Sequence, residues 1–239
     1  MDIEKYSSEH PHYWSKQFSG PEIEFLFANN SFNKLIDVGC GDGVLLYALK
    51  EKGYLASIKE KWATDLSIKR LMGIKKTFKG IKTKQDDAQE LSKMPKNYFD
   101  TVLTTQVIEH VKDDGAMLKA MKKICKIGGI IFIETVFKKK YAWYFNKNQY
   151  GERVLDPTHE REYTSENELF DKVKLSGLKI VYERKRQLRF PIVDFFIRRF
   201  KIRDPNFFIA HPFFGAIRKI TIPVIGYYSW FIVLIKSDN

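Results

Sequence analysis

Cysteine is scarce in this chain of 239 residues, which contains only Cys40 and Cys125 and no CxxC pair. Two cysteines cannot build a disulfide framework, so a stapled secreted scaffold and a cysteine-based zinc site are both excluded. Because such cysteine usage fits a reducing compartment, we expect a cytoplasmic protein.

Long apolar runs are also lacking. The N-terminal sequence MDIEKYSSEHPHYW has no apolar stretch of signal-peptide length, and the longest late run, Ile220 to Ile235, is interrupted by Pro223 and Gly226. We therefore expect no segment that spans a bilayer. With 44% hydrophobic residues, no internal repeat and no low-complexity linker, we expect one domain over residues 1–239.

Acidic residues are outnumbered, since 41 Lys and Arg oppose 29 Asp and Glu to give a net charge of +12. Residues 1–137 carry +3 and residues 138–239 carry +9. Between Arg184 and Arg203, eight basic residues face one acid, Asp194. The cluster favours an anionic partner, whether nucleic-acid phosphates, anionic lipid headgroups or a phosphorylated substrate. A solvated basic face is the alternative.

Short apolar runs alternate with amphipathic stretches through the first two thirds of the chain. This alternation indicates right-handed crossovers and a mostly parallel sheet. A second set of elements follows after residue 164. The predicted strands are 34–38, 61–65, 81–84, 99–104, 129–136, 178–186 and 227–236, and the predicted helices are 44–52, 67–75, 113–127 and 165–175.

The strongest local signal is LIDVGCGDGVL, residues 35–45. An apolar strand containing Asp37 turns through Gly39, Gly41 and Gly43 and opens directly into an apolar helix. Glycines at a helix N-terminus let the backbone approach a ligand closely, which is typical of a nucleotide-type site. The spacing is GxGxG, and Val44 stands where a dinucleotide fingerprint has its third glycine or alanine.

With this loop the sequence resembles the class I S-adenosylmethionine-dependent methyltransferases, and the resemblance continues in order over about the first 140 residues. It implies a Rossmann-like α/β fold with a seven-stranded, mostly parallel sheet, helices on both faces and an aromatic and basic insertion before the last strand. We expect residues 1–33 to form a helical cap and 34–136 the cofactor-binding core. Because the alternation of strands and helices breaks after Val136, we expect 137–164 and 190–223 to be irregular substrate or lid insertions.

The resemblance also implies roles for single residues around S-adenosylmethionine. Asp65, followed by Leu66, stands where the family acid binds the ribose hydroxyls, which suits a group that only accepts hydrogen bonds. Asp87 and Ala88 match the loop that meets the adenine. Gln106 follows the fourth strand near the methionine end, and GGIIFIETV, residues 128–136, matches the fifth strand.

Two histidines are candidates for acceptor chemistry. Methyl transfer is an in-line displacement that depends mainly on alignment, and a hydroxyl acceptor benefits from a general base, for which histidine is suited near neutral pH. His110 follows the fourth strand, and His159 precedes Tyr163 and Ser165 in an arrangement similar to that of small-molecule family members. Each histidine could instead only order its loop.

A metal site is the alternative for the same region. Glu109, His110 and His159 are similar to the divalent-metal ligands of ubiquinone-pathway O-methyltransferases and small-RNA 2′-O-methyltransferases. Those enzymes have a further acid where this chain has Gln106, and a neutral amide is a poorer ligand for a hard cation. We therefore expect no metal, with these three residues as the alternative ligands.

Aromatic and basic residues are interleaved in three segments: HPHYW near the start, FKKKYAWYFNKNQY at 137–150, and residues 190–220. Such segments suit bases, sugars or lipid headgroups, and packed flaps or lids are the alternatives. If residues 195–200 are helical, Phe195, Phe196 and Phe200 lie together.

These observations favour O-methylation of a small or lipid-linked acceptor, sugar or quinone-like, with an anionic membrane surface as a further partner. An RNA 2′-O-methyltransferase with a Glu/His metal site is the alternative, disfavoured because no RNA-binding module is recognisable. We expect a monomer or homodimer.

Overall fold

The computed structural model describes residues 3–15, 18, 20–148 and 150–238, and its main element is a seven-stranded sheet. In chain order its strands are β1 (Lys34–Val38), β2 (Glu60–Asp65), β3 (Ile81–Gln85), β4 (Phe99–Thr105), β5 (Cys125–Lys138), β8 (Lys179–Pro191) and β9 (Thr221–Ile235). They are arranged β3-β2-β1-β4-β5-β9-β8. The β1/β2, β2/β3 and β4/β5 pairs are parallel and β5/β9 is antiparallel. The predicted seven-stranded, mostly parallel fold is confirmed.

Two further strands, β6 (Asn146–Lys147) and β7 (Arg153–Val154), form a separate antiparallel hairpin. Side chains cap two helices: Ser67 precedes the helix Ile68–Thr77, and Asp113 precedes the helix Asp114–Ile124. No helix among the described residues has the length and hydropathy that crossing a bilayer requires. The helices are α1 (Ile3–Glu9), α2 (Pro21–Asn29), α3 (Val44–Glu51), α4 (Ile68–Thr77), α5 (Asp114–Ile124), α6 (Asn167–Leu175), α7 (Ile192–Arg199), α8 (Phe207–Ala210) and α9 (Pro212–Ile217).

The chain forms two compact units, one of Met1–Asp87 with Phe190–Ile222 and one of Ala88–Arg189 with Pro223–Asn239. The first unit holds the glycine loop. Strand β1 is apolar and buried, as expected of a parallel strand covered on both faces. Gly43 has a φ of 76° and lies where a Cβ would come within 2.4 Å of the Ile74 side chain, so glycine is required both by backbone and by packing.

In the second unit, β5 and β9 pair over nine residues, and the core surrounds Trp230, which is fully buried. Phe137 and Tyr163 pack edge-on against its ring, and its Nε1 donates a hydrogen bond to Glu183 at 2.6 Å. A large aromatic residue with a satisfied polar atom is a stable core element. The single-domain assignment over 1–239 and its subdivisions stay predictions.

Several sequence-based boundaries were wrong: β5 and β9 begin before the predicted residues 129 and 227, and β8 ends after the predicted residue 186. The helix predicted at 113–127 ends at Ile124, because Cys125 is fully buried and pairs with Phe99 as the first residue of β5. The stretch 190–223, predicted to lack regular structure, contains α7, α8 and α9. Its helices are only eight, four and six residues long, so none is long enough to show a clear helical period in the sequence.

Candidate active site

The glycine loop of the first unit connects β1 to α3. Gly39, Gly41 and Gly43 all have positive φ angles, of 72°, 52° and 76°. The N–H groups of Gly39 and Cys40 donate to the carbonyl of Thr64 at 2.8 and 2.9 Å, which fixes the turn against the end of β2. The loop therefore has the backbone form that close approach of a ligand to a helix N-terminus requires.

Asp65 lies at the end of β2 and orders this loop. Its Oδ2 accepts the N–H of Gly41 at 2.9 Å, and its Oδ1 accepts the N–H of Ser67 at 2.8 Å. A carboxylate has about four acceptor positions, so about two stay available for hydroxyl donors. This arrangement fits the ribose contact that the resemblance implies.

Asp37, within β1, is 1% exposed, and neither of its carboxyl oxygens has a hydrogen-bond partner among the described residues. Burial, together with the nearby charge of Asp65, raises the pKa of Asp37 to about 7. A buried acceptor pair without an internal donor fits a ligand that brings donors, such as the ammonium group of S-adenosylmethionine.

The other predicted cofactor residues are divided between the units. In the first unit, Leu66 is 45% exposed beside Asp65, and Asp87 lies half-buried after β3. In the second, Ala88 is buried and Gln106 directly follows β4, with a φ of 54°. Positive φ at a residue other than glycine is strained and clusters at functional sites.

An N-terminal segment that sequence reasoning did not connect with the cofactor loop lies directly on it. The backbone N–H of His12 donates to Asp42 Oδ2 at 2.9 Å, and the Trp14 indole donates to the Asp42 carbonyl at 2.8 Å. A Cβ on Gly41 would lie 3.2 Å from His12 Nδ1. Trp14 stacks on Tyr47 with ring centroids 5.3 Å apart. Of the two interpretations of the HPHYW segment, a ligand-binding segment or a packed flap, the structure thus shows the packed flap for Trp14.

In the second unit, the structure brings His110 and His159 together, with ring centroids 4.7 Å apart. Arg161 holds their two loops in contact, because its guanidinium donates to the carbonyls of Ile108, Val111 and Lys112 at 3.1, 2.6 and 2.6 Å. No local motif identifies Arg161, since its partners lie about 50 residues away.

His159 is paired with a carboxylate that the sequence did not single out. Its Nδ1 lies 2.9 Å from Glu162 Oε1, and both side chains are 3% exposed. Burial alone would lower the pKa of His159, but the hydrogen bond to Glu162 and the charges of Glu109, Glu162 and Asp156 outweigh it and raise that pKa. Because Glu162 accepts at Nδ1, the neutral ring carries its lone pair on Nε2.

His110 has the opposite balance. Burial lowers its pKa, and the charge of Glu109 does not compensate. Its Nδ1 lies 3.0 Å from Thr158 Oγ1 and 3.3 Å from the Thr158 carbonyl. Two neighbouring histidines with pKa values shifted in opposite directions are a common feature of acid–base sites.

The three residues of the metal alternative, Glu109, His110 and His159, have ligand atoms within 4.8 Å of one another. Glu109 is fully buried; its Oε2 accepts from Thr135 at 2.9 Å, and its Oε1 has no hydrogen-bond partner among the described residues. The spacing of the three ligand atoms suits a divalent cation. Each ligand is also oriented by a further contact, Glu109 by Thr135, His110 by Thr158 and His159 by Glu162.

A family model described as a methyltransferase domain matches residues 10–183. The chain belongs to this methyltransferase family. The predicted membership of the S-adenosylmethionine-dependent methyltransferases, and with it the cofactor of this methyltransferase, is confirmed. The roles of single site residues stay predictions.

A relative of known sequence agrees with this family, and solved structures share its fold. A ubiquinone biosynthesis O-methyltransferase of Acinetobacter baylyi is 26% identical over 151 residues, 62% of this chain and 63% of the relative. The match thus spans less than two thirds of that relative. An Archaeoglobus fulgidus SAM-dependent methyltransferase aligns with a TM-score of 0.58 and 18% identity over 93% of this chain and 95% of that one. Phosphoethanolamine N-methyltransferase 2 of Haemonchus contortus, solved with S-adenosyl-L-methionine, aligns at 0.56 and 16% identity, covering 91% and 52%.

Proposed function

We propose that this methyltransferase transfers a methyl group from S-adenosylmethionine to a hydroxyl of a small, quinone-like or lipid-linked acceptor. The observation that carries the proposal is the buried His159–Glu162 pair, because a histidine held by a carboxylate is the arrangement that a hydroxyl acceptor needs as general base. The cofactor supplies an electrophilic methyl group on a sulfonium.

His159 and Glu162 would act as a unit. Nε2 of His159 takes the hydroxyl proton as the acceptor oxygen forms its bond to the methyl carbon and the carbon–sulfur bond breaks. Glu162 holds the ring through Nδ1 and stabilises the imidazolium that results. Tyr227 and Lys138 hold Glu162 in turn, at 3.0 and 3.1 Å from its Oε2, so the dyad is preorganised.

The quinone-like acceptor is supported by the similarity to the Acinetobacter relative, a ubiquinone biosynthesis O-methyltransferase. Because such acceptors can carry long apolar tails, we further propose a cytoplasmic enzyme that works at an anionic membrane surface. The exposed aromatic residues around the β6–β7 hairpin of the second unit, Tyr141, Trp143 and Phe145, support contact with an amphipathic molecule.

Radiolabelled methyl transfer to a panel of catechols and hydroquinones with short and long tails tests the proposal. We expect product with at least one hydroxyl acceptor and a lower KM for the longer tail. His159→Ala should lower kcat about 100-fold or more while cofactor affinity stays within about twofold. Equal kcat in parent and variant would return His159 to an ordering role.

A second candidate is a metal-assisted RNA 2′-O-methyltransferase. It is favoured by one observation, the unpartnered Oε1 of Glu109 beside two histidines. Calorimetric titration of the chelated protein with Mn²⁺, Mg²⁺ and Zn²⁺ tests for the metal. Because the same ligands resemble those of both enzyme classes, parallel methylation assays with RNA and with hydroquinones distinguish the two candidates. Binding that Glu109→Gln abolishes, together with RNA methylation that needs the metal, would favour the second candidate. Hydroxyl methylation unaffected by chelator would favour the first.

A further inference from the structure

Helix α7 carries apolar side chains on both of its faces. Val193 and Ile197, four residues apart, lie on its inner face and are buried in a cluster with Tyr13, Phe207 and Phe208. An ordinary surface helix would be polar on the opposite face. This cluster and the helix belong to the first unit.

An adjoining, solvent-exposed face holds Ile192, Phe195, Phe196, Arg199 and Phe200, a set that we call the α7 outer face. The spacing of an α-helix places these residues together, and Phe200 continues the last turn through a hydrogen bond from its N–H to the Phe196 carbonyl at 3.0 Å. Phe195 and Phe200 are each 73% exposed and Phe196 is 53% exposed. Three phenylalanines on one exposed turn and a half are costly in water, at about 25 cal/mol per Å² of apolar surface.

Positive charge borders these rings. Arg199, Lys201 and Arg203 are exposed, whereas the side chain of Arg198 lies outside the described residues. The acid of the helix, Asp194, accepts two hydrogen bonds from the Arg218 guanidinium, at 2.9 and 3.0 Å, so its charge is compensated. The α7 outer face is therefore apolar at its centre and cationic at its C-terminal end.

The helix is held firmly in place. The Tyr13 hydroxyl donates to the Ile202 carbonyl at 2.6 Å, and Arg218 also donates to the Tyr13 and Trp14 carbonyls at 3.2 Å each. A preformed surface loses little entropy on binding. The segment also lies beyond residues 10–183, the part of the chain that the methyltransferase family model matches.

We propose that the α7 outer face docks on an anionic lipid bilayer. Eight residues are too few to span a membrane, so α7 lies in the plane of the interface with its phenylalanines among the acyl chains and its basic residues at the headgroups. This surface brings the proposed enzyme to a lipid-linked acceptor. Only that role, and not the docking itself, rests on the proposed function.

Vesicle flotation of the full chain tests the proposal. Two vesicle types are used, pure phosphatidylcholine and phosphatidylcholine with about 30% phosphatidylglycerol. We expect binding to the anionic vesicles that weakens with salt. The double variant Phe195→Ser/Phe200→Ser should reduce the partition coefficient about tenfold or more, and Arg199→Gln/Lys201→Gln should reduce it only on anionic vesicles. Phe25→Ser, which removes a 68% exposed phenylalanine from α2 of the same unit, is the matched control and should bind as the parent does.

Several results would overturn the proposal: no flotation of the parent, equal flotation of the phenylalanine variant, or a dimer that this variant dissociates without any lipid binding. Methyl transfer to a short, water-soluble acceptor is measured in parallel. This transfer should be unchanged in the α7 variants. If the proposed function is wrong, methyl transfer is absent even though the parent protein floats with the vesicles. If only the docking proposal is wrong, methyl transfer is present but the parent protein does not float.

Discussion

Nδ1 of His159 lies 2.9 Å from Oε1 of Glu162, three residues later in the chain, and the two side chains are almost fully buried. The backbone N–H of Leu155 also donates to that Oε1, at 2.5 Å. Although burial alone would raise the pKa of Glu162, the hydrogen bonds from His159 and Leu155 and the charges of His159 and Lys138 outweigh it and lower that pKa. Glu162 is thus a fixed anion that sets the tautomer and the basicity of His159.

Replacement of Glu162 by Gln should lower the pKa of His159, because the variant removes both the charge and the strong acceptor at Nδ1. We expect kcat to fall about 10- to 100-fold, with a smaller change in KM. NMR titration of the histidine ring signals measures the pKa directly. Glu160→Gln, an exposed neighbour, is the control. An unmoved His159 signal in the Glu162 variant would show that the carboxylate does not set its titration.

Asp37 makes stability depend on pH. Its folded-state pKa of about 7 lies above the value of 3.8 for a free carboxyl, so the native state keeps its proton to a higher pH than the unfolded chain does. The stabilisation is therefore complete below about pH 4 and is lost as the pH rises through 7.

Asp37→Asn removes this dependence, although its amide stays buried. The measured quantity is the free energy of unfolding of the variant minus that of the parent, without cofactor. We expect this difference to rise by on the order of 3 kcal/mol between about pH 5 and pH 8. Urea denaturation at several pH values measures it, with the exposed Asp171→Asn as control. A difference that stays constant with pH would contradict the assignment.

Asp65→Ala should weaken S-adenosylmethionine binding by about 1 to 3 kcal/mol, because it removes acceptors for the ribose and frees the N–H groups of Gly41 and Ser67. Asp65→Asn keeps one acceptor oxygen and should lose less. Isothermal titration calorimetry measures both. Glu60→Gln, at the start of the same strand, should bind as the parent does, and unchanged affinity in Asp65→Ala would disprove the ribose contact.

Gly43→Ala should destabilise the protein by about 2 kcal/mol or more, since it combines a left-handed backbone with overpacking against Ile74. Gly80 is the matched control: it has a φ of 79° but no atom within 4 Å of the position of a Cβ. Gly80→Ala should therefore show only the backbone cost, about 1 to 2 kcal/mol. Equal losses of unfolding free energy in chemical denaturation would exclude a packing role for Gly43.

Most strands and the glycine loop could be predicted from the sequence because their signals are local. Short apolar runs and three glycines at fixed spacing determine backbone conformation within one segment. The prediction failed where neighbouring segments decide. Cys125 to Ile127 continue an amphipathic helical pattern, yet Cys125 pairs with Phe99 of β4 and all three residues belong to β5.

The sequence by itself therefore determined the methyltransferase fold and the glycine loop that follows β1. Only the tertiary structure decided that His159 pairs with Glu162 beside His110, and that Phe195 and Phe200 stay outside while Tyr13 lies within. The physical reason is that hydrogen bonds such as those of Arg161, and burial against distant residues, depend on how loops about 50 residues apart pack, and no local periodicity encodes that packing.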